Sequence, residues 1–254
     1  SAVGCGGAAG NAPAAFADKR SVTLVTGARQ KSKILELIDG FARGEGLPLA
    51  AAHELCGAQT MPASSAAEKV RIDEADQEYD ELPAPVQLKT RAFVKIQDGC
   101  NNFCSYCIIP YLRGRSRSRT VESAAAEILQ CNAAECVITG IDISSYRDGE
   151  RGLPELLLAV KDAKSRIRLG SLEVGVVTDE LLRAAKQVRD FAPQFHLSLQ
   201  SGSDAVLKKM NRHYTGEEYL ARVALIRKYF PDAAITTDII AGFPTETEEN
   251  FEET

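Results

Sequence analysis

A chain of 254 residues with 44% hydrophobic and 26% charged residues has the make-up of a soluble globular protein, with room for one large domain or two modest ones. No apolar run approaches the roughly 18 residues of a membrane span, and no basic-then-apolar leader opens the chain, so neither a membrane partner nor secretion is expected. The net charge of -5 excludes a wholly basic nucleic-acid wrapper but leaves room for a local basic patch.

The chain opens on Ser1 rather than Met, and "AVGCGG" reads as the interior of a fold. Residues 21–27, "SVTLVTG", have the β-branched run of a strand. Residues 31–44 follow as a helix, with Ile34, Leu35, Ile38 and Phe41 at helical spacing and Gly44 as a stop. Residues 1–45 therefore read as the tail of an α/β domain. Residues 46–90 lack sustained periodicity, carry the acidic segment "RIDEADQEYDELPAP" and read as a linker.

From Arg91 strands and helices alternate. Strands are expected at 91–99, 135–143, 166–174, 194–202 and 233–244. Helices are expected at 121–133 behind Thr120, 152–163 with Pro154 near its start, and 178–191 capped by Thr178. A further helix at 215–230 has Thr215 and Glu218 at capping-box spacing, and another begins at 245. The strands are apolar enough to be buried on both sides. That pattern means parallel strands with crossover helices, in an α/β barrel or a doubly wound sheet.

Seven cysteines are present: Cys5, Cys56, Cys100, Cys104, Cys107, Cys131 and Cys136. An odd count in an unsecreted chain argues against a disulfide framework. In a reducing, cytoplasmic setting, clustered thiols bind metal or do redox chemistry. Cys100, Cys104 and Cys107 directly follow the first strand of the repeat, where the loops of a parallel barrel build the active site. Three thiolates are one short of the four that a structural zinc or an ordinary iron–sulfur cluster takes. A [4Fe–4S] cluster on three cysteines leaves one iron open to a small chelating molecule. The alternatives are a zinc knuckle completed by a distant ligand, or unliganded thiols. Cys131 and Cys136 flank a helix-to-strand turn and read as small buried hydrophobes. Cys56 lies in the linker. His53, His196 and His213 have no partner at ligand or triad spacing.

The spacing Cys-x3-Cys-x2-Cys after the first strand of a βα repeat resembles the signature of the radical S-adenosylmethionine enzymes. The wider string "QDGCNNFCSYCIIPYLRGRSRSR" resembles their methylthiotransferase branch, and most of all the threonylcarbamoyladenosine tRNA methylthiotransferases. The likeness extends through "VITGIDISSY", "RLGSLEV", "HLSLQSGSDAVLKKMNRHYTGEEY" and "TTDIIAGFPTETEENF", covering nearly all of 91–254. The first 45 residues resemble the end of that family's N-terminal domain.

The resemblance implies a partial radical-SAM (β/α) barrel in 91–254. It implies Cys100, Cys104 and Cys107 as ligands of a [4Fe–4S] cluster whose open iron binds S-adenosylmethionine. Reductive cleavage there yields methionine and a 5′-deoxyadenosyl radical. Tyr106 matches an aromatic position near the adenine. Glu173, Ser198 and Gln200 lie at strand ends facing the barrel mouth, Arg212 suits the cofactor carboxylate, and Gly242 sits where a side chain would block the adenine. A second cluster in the family takes three N-terminal cysteines; only Cys5 matches, as the last of the three. Arg113, Arg115, Arg117 and Arg119 read either as a solvated loop or as contacts to tRNA phosphates near the anticodon. The implied reaction adds a methylthio group to C2 of N6-threonylcarbamoyladenosine, with an electron donor and a sulfur source as further partners. Sister branches act on isopentenyladenosine or a ribosomal-protein aspartate. The non-enzymatic alternative is a zinc-fixed loop that grips RNA.

Overall fold

A computed structural model describes residues 2–4, 24–26, 36, 70–71, 79, 81 and 90–254. The chain divides into two compact units, Ser1–Pro83 with Tyr111–Arg113, and Ala84–Pro110 with Gly114–Thr254. In the first unit, β1 (Ala2–Gly4), β2 (Leu24–Thr26) and β3 (Val70–Arg71) form a parallel sheet in that order. Parallel pairing suits the α/β character read from the first 45 residues. The short strand β3 falls inside the stretch read as linker, which is corrected at those two residues. Of the expected helix at 31–44 only Glu36 is described, and it is helical. Cys5, His53 and Cys56 lie outside the described residues.

The second unit begins with β4 (Arg91–Asp98). It continues through the start of α1 (Ile109–Arg113), whose residues Tyr111–Arg113 are grouped with the first unit, then β5 (Arg117–Ser118), α2 (Val121–Gln130) and β6 (Glu135–Gly140). Next come α3 (Leu153–Ala159), β7 (Arg166–Leu169), α4 (Asp179–Gln187) and β8 (Gln194–His196). Then α5 (Asp204–Lys209), α6 (Gly216–Tyr229), β9 (Ala234–Thr236) and α7 (Glu248–Glu253) complete it. Strands β4, β6 and β7 pair in parallel, as do β8 and β9. Parallel bridges Leu172–Leu197 and Gln200–Ile239 carry the pairing beyond the strand ends. The result is a mostly parallel arrangement curled into a half-barrel, with the parallel strands in chain order and β5 antiparallel on the outer edge of β4. None of the described helices is long and apolar enough to cross a membrane.

The helices are set by their caps. Thr120, Thr178 and Thr215 each accept a backbone N–H from the first turn, and Glu218 returns the bond to the Thr215 amide. The buried faces of α2, α3 and α4 meet one face of the sheet. Ile128, Leu156, Leu157, Leu181 and Leu182 pack in a single core with Val94, Ile96, Ile138, Ile167 and Phe195. Phe191, Phe195 and Phe230 form a ring trio with centroids 5.6–5.9 Å apart.

Three expectations change. The strands are not all buried on both faces: β6 is, through Cys136, Val137 and Ile138, but Phe93 of β4 is 60% exposed, and the inner face carries a polar ladder. Arg91 and Arg168 both bind Glu135, at 2.6 and 2.8 Å; Arg168 also donates to Gln194, which donates to Thr236. His196 sits on this face beside Thr236. Second, the arginine run is not one loop. Pro110 in the first turn permits α1, and β5 pairs antiparallel with β4 on the sheet edge. Third, the strand expected to reach Ile143 stops at Gly140, and Asp142 caps a 3-10 turn at Ile143–Ser145. Cys131 and Cys136 are buried, as small hydrophobes should be.

Candidate active site

The cysteine loop leaves β4 through a tight crossing. Gly99 has φ +74°, and a Cβ there would lie 2.0 Å from the Arg115 carbonyl oxygen. Cys100 N–H donates to the Gly114 carbonyl at 3.1 Å, locking the two strands of the loop together. Gly99→Ala is therefore expected to cost about 3 kcal/mol, from the left-handed backbone and the displaced carbonyl together. Urea unfolding of the variant against the parent measures it; a loss under about 1 kcal/mol would contradict this crossing.

Further along, the loop is fastened to the turn that ends α5. Ser105 N–H donates to the Met210 carbonyl and Ser105 Oγ to that of Lys209, both at 3.0 Å. The Asn211 amide donates to the carbonyls of Asn102 and Phe103 at 3.0 and 3.1 Å. Phe103 and Asn211 both hold positive φ, 49° and 57°; these bonds over-determine that strained backbone.

So anchored, the loop buries Cys104 and half-buries Cys100 and Cys107. Arg212 Nη1 donates to Cys104 Sγ at 3.2 Å, Nη2 binds the Glu173 carboxylate, and Nε donates to Tyr214 Oη at 3.2 Å. Tyr214 in turn donates to the carbonyls of Ser198 and Leu199, 2.6 Å from each. Glu173 is held at the strand end by its own N–H, bonded to Ser144 Oγ at 2.7 Å. Burial raises the Glu173 carboxyl above the usual carboxylate range, and Arg212 offsets part of that. Burial likewise pushes the Cys100 thiol up to about 11. The half-buried Asp142 carboxylate faces Cys100 Sγ at 3.9 Å and Asn102 Nδ2 at 3.4 Å. Asp142, Ser144, Glu173, Arg212, His213 and Tyr214 wall a cavity of about 300 Å³.

Among the expected site residues, Glu173 and Arg212 meet on this wall. Tyr106 is 41% exposed, its phenol beside Cys104 and raised above its ordinary value by burial. Ser198 contributes its carbonyl, to Tyr214, and Gln200 takes φ +66° where it bridges to Ile239; neither lines the cavity. Gly242 has φ +72° and open space where a Cβ would be; the backbone conformation, not crowding by protein atoms, calls for glycine there.

The arginine run separates into two groups. Arg117 is buried and binds Asp98 at 3.0 Å, where Lys95 also reaches at 2.7 Å. Burial would raise the Asp98 carboxyl, but Lys95, Arg117 and the Gly99 N–H more than reverse it and hold it low. Arg119 is buried as well, bound to Glu127 and the Ser123 hydroxyl. These two guanidiniums brace the loop and are not presented to a phosphate, which corrects that expectation. Arg115 is exposed and stacks on Phe103 at 4.6 Å, and Arg113 is half-buried in α1.

Sequence reasoning missed Gln97, Asp142, Tyr214 and Asn211. Asp142 had a signal, since it follows the "VITG" strand end where parallel sheets place their ligands.

An iron–sulfur cluster fits this donor set. Three soft thiols share one anchored loop, the Arg212 guanidinium donates to Cys104 Sγ, and the adjoining cavity has room for a small molecule. Among the described residues no three His, Cys, Asp or Glu side chains converge as a single ion requires.

Comparison with known proteins gives a consistent answer. A threonylcarbamoyladenosine tRNA methylthiotransferase, MtaB of Chlamydia pneumoniae, is 48% identical over 171 residues, 65% of this chain and 41% of that protein. A tRNA-2-methylthio-N(6)-dimethylallyladenosine synthase of Caldicellulosiruptor saccharolyticus is 43% identical over 197 residues, 73% of this chain and 42% of that protein. The chain thus spans about two fifths of the length of these curated relatives. The fold is also that of an apo cobalamin-dependent S-adenosylmethionine radical enzyme, OxsB, at TM-score 0.65 and 15% identity over 99% of this chain and 38% of that one. The radical S-adenosylmethionine methyltransferase TsrM from Kitasatospora setae gives TM-score 0.53 and 16% identity, covering 63% of this chain and 32% of that one. Residues 94–254 match the model of the Radical SAM superfamily, and with a half-barrel that sets three cysteines at the end of its first strand, the chain belongs to that superfamily.

Proposed function

We propose that this chain is the catalytic part of a tRNA methylthiotransferase acting at C2 of N6-threonylcarbamoyladenosine. The observation that carries the reading is the wall beside the cysteine loop. There Arg212 and Glu173 present a guanidinium and a carboxylate side by side, next to Cys104. Such a pair matches the zwitterionic end of an α-amino acid, which S-adenosylmethionine carries: the guanidinium takes the carboxylate and Glu173 the ammonium. The higher identity to the threonylcarbamoyladenosine enzyme supports that substrate over the dimethylallyl one.

In this reading Cys100, Cys104 and Cys107 hold a [4Fe–4S] cluster. When bound, that cluster supplies the electron that cleaves the S-adenosylmethionine sulfonium. The chain does the rest by binding and exclusion. Arg212 and Glu173 orient the methionine end, while Ser198 and Gln200 shape the strand ends beneath. Tyr106 offers a ring face for the adenine, and Gly242 leaves space beside it. Arg115, with Arg113, supplies positive charge near the loop for tRNA phosphates. Cys5 is read as a ligand of a second cluster, and a reductant and sulfur source act from outside the chain. We read the enzyme as cytoplasmic because its proposed substrate is tRNA.

The test uses the full-length protein, reconstituted anaerobically with iron and sulfide. It is given S-adenosylmethionine, reductant, and tRNA bearing either threonylcarbamoyladenosine or dimethylallyladenosine. Nucleoside mass spectrometry is expected to find the methylthio product on the first tRNA only. Methylthiolation of the second alone moves the substrate to the sister branch. A protein that takes zinc but no iron and sulfide sinks the enzymatic reading.

A further inference from the structure

We propose that Gln97 is a positioning residue that fastens the cysteine loop to the cavity wall in one register. Gln97 is fully buried three residues before Cys100. Its Oε1 accepts the backbone N–H of Asp142 at 2.8 Å and of Ile141 at 3.1 Å. Its Nε2 donates to the Gly99 carbonyl at 2.8 Å and to Ser116 Oγ at 2.9 Å, with the Asp98 carbonyl and Ser145 Oγ at 3.0 and 3.3 Å. One amide thus spends both lone pairs on the loop after β6 and both hydrogens on the loop after β4. The amide has one workable orientation, because reversing it would set NH2 against two N–H donors.

The backbone is shaped to receive this side chain. The β4–β6 register slips between Lys95 and Gln97, so a bulge at Ile96 re-aims the residue that follows. Across the pair, Gly140 has no side chain where a Cβ would lie 3.0 Å from Gln97 Oε1. What Gln97 holds together is the site itself. On one side are Gly99 and the entry to Cys100. On the other is the backbone of Asp142, whose carboxylate faces Cys100 and whose neighbours Ser144 and Ser145 line the cavity. Ser116 and Ser145 close the arrangement with a hydroxyl–hydroxyl bond of 2.7 Å.

Neither a hydrophobe nor a carboxylate can replace the amide. Methionine has similar length and leaves the Ile141 and Asp142 N–H groups and the Gly99 carbonyl without these partners. Glutamate keeps the acceptors but turns an oxygen toward the Gly99 carbonyl. The inference rests on the cysteine loop being the cofactor site, and its test separates the two.

The first readout needs no cofactor. Full-length, cluster-free protein with Gln97→Met is alkylated under native conditions, and modification of Cys100 and of Cys136 is followed by peptide mass spectrometry. Cys136 is buried in the core and reports global opening. The expected result is a roughly tenfold faster reaction at Cys100 relative to Cys136, as the loss of buried hydrogen bonds implies. Equal acceleration at both sites, or at neither, would overturn the proposal by making Gln97 an ordinary core residue. The double variant Ser116→Ala/Ser145→Ala removes the outer partners with less risk to folding and is expected to move the same ratio in the same direction. If it leaves the ratio unchanged, the clamp is refuted. A second readout uses reconstituted protein: the change that S-adenosylmethionine causes in the electron paramagnetic resonance of the reduced cluster. In Gln97→Met it is expected to require roughly tenfold more S-adenosylmethionine than in the parent. A parent that takes up no iron refutes the cofactor reading and leaves the alkylation result to decide Gln97 alone.

Discussion

Replacing Cys104 by alanine in the full-length protein is expected to abolish both cluster retention and 5′-deoxyadenosine formation while leaving the half-barrel folded. The sulfur accepts a hydrogen bond from Arg212, has the Tyr106 phenol beside it, and sits on a loop held elsewhere by Ser105, Asn211 and Gly99. Its removal as a packing group therefore costs only about 1 kcal/mol. As a ligand it has no substitute nearby: Asp142 faces Cys100, and among the described residues the other cysteines, Cys131 and Cys136, are buried in the core. Even partners behind a metal ligand change affinity by about 10–100-fold, so loss of a ligand exceeds that range. Iron and sulfide analysis after anaerobic reconstitution measures the first effect, and chromatography of the reduced mixture with S-adenosylmethionine the second. Cys131→Ala is the matched control, with the same chemical change and full retention of iron expected. Unchanged cleavage in Cys104→Ala would remove the cluster assignment.

The sequence made the order of the main strands and helices legible because α2, α4 and α6 each start behind a capping threonine and α3 behind a Gly-Leu-Pro start, whereas the short α1 and α5 have no side-chain cap and were not expected. It overreached on the strands. An apolar run such as "RAFVKI" does not say whether its second face is covered, and here Phe93 is left exposed on a face crossed by the Arg91–Glu135–Arg168–Gln194 ladder. Spacing marks the cysteine loop but leaves a cluster, a zinc knuckle and unliganded thiols open; the likeness to the radical S-adenosylmethionine enzymes is what favours the first. The arginine run was half misread for a specific reason. Alternation in "RGRSRSR" looks like a charged surface, yet Arg117 in β5 and Arg119 just after it are both buried. Arg117 finds Asp98 and Arg119 finds Glu127, partners 19 and 8 residues away. No local pattern reports a partner at that distance. Gln97 was hidden in the same way: a glutamine near a strand end reads as solvent-facing until a bulge in its own strand and a glycine across the sheet turn it inward.

Arg212→Met should be the most damaging change on the cavity wall, and its damage should depend on pH. The Arg212 side chain is 4% exposed and binds Glu173, Cys104 and Tyr214. Taking it away leaves Glu173 facing a partly buried site with its counter-charge gone. Breaking a buried pair from one side typically costs 3–5 kcal/mol, and because Glu173 keeps some access to water we expect about 3 kcal/mol at pH 8. The sign of the pH effect follows from the direction of the carboxyl's shift. Burial already raises it, and Arg212 is the main influence holding it down; without Arg212 it rises further. A group whose folded-state value lies above the unfolded one binds protons more tightly when folded. Its stability contribution is therefore present at low pH and lost as pH climbs through the folded value. The deficit of Arg212→Met should accordingly shrink at pH 5 and be full at pH 8. Urea unfolding of the full-length, cluster-free protein at the two pH values reads this directly. Arg212→Met/Glu173→Gln removes the stranded charge, so it should recover at least half of the loss at pH 8 and flatten the pH dependence. A deficit of equal size at both pH values, undiminished in the double variant, would mean that Arg212 acts through packing and that the Glu173 pair is not what holds this wall.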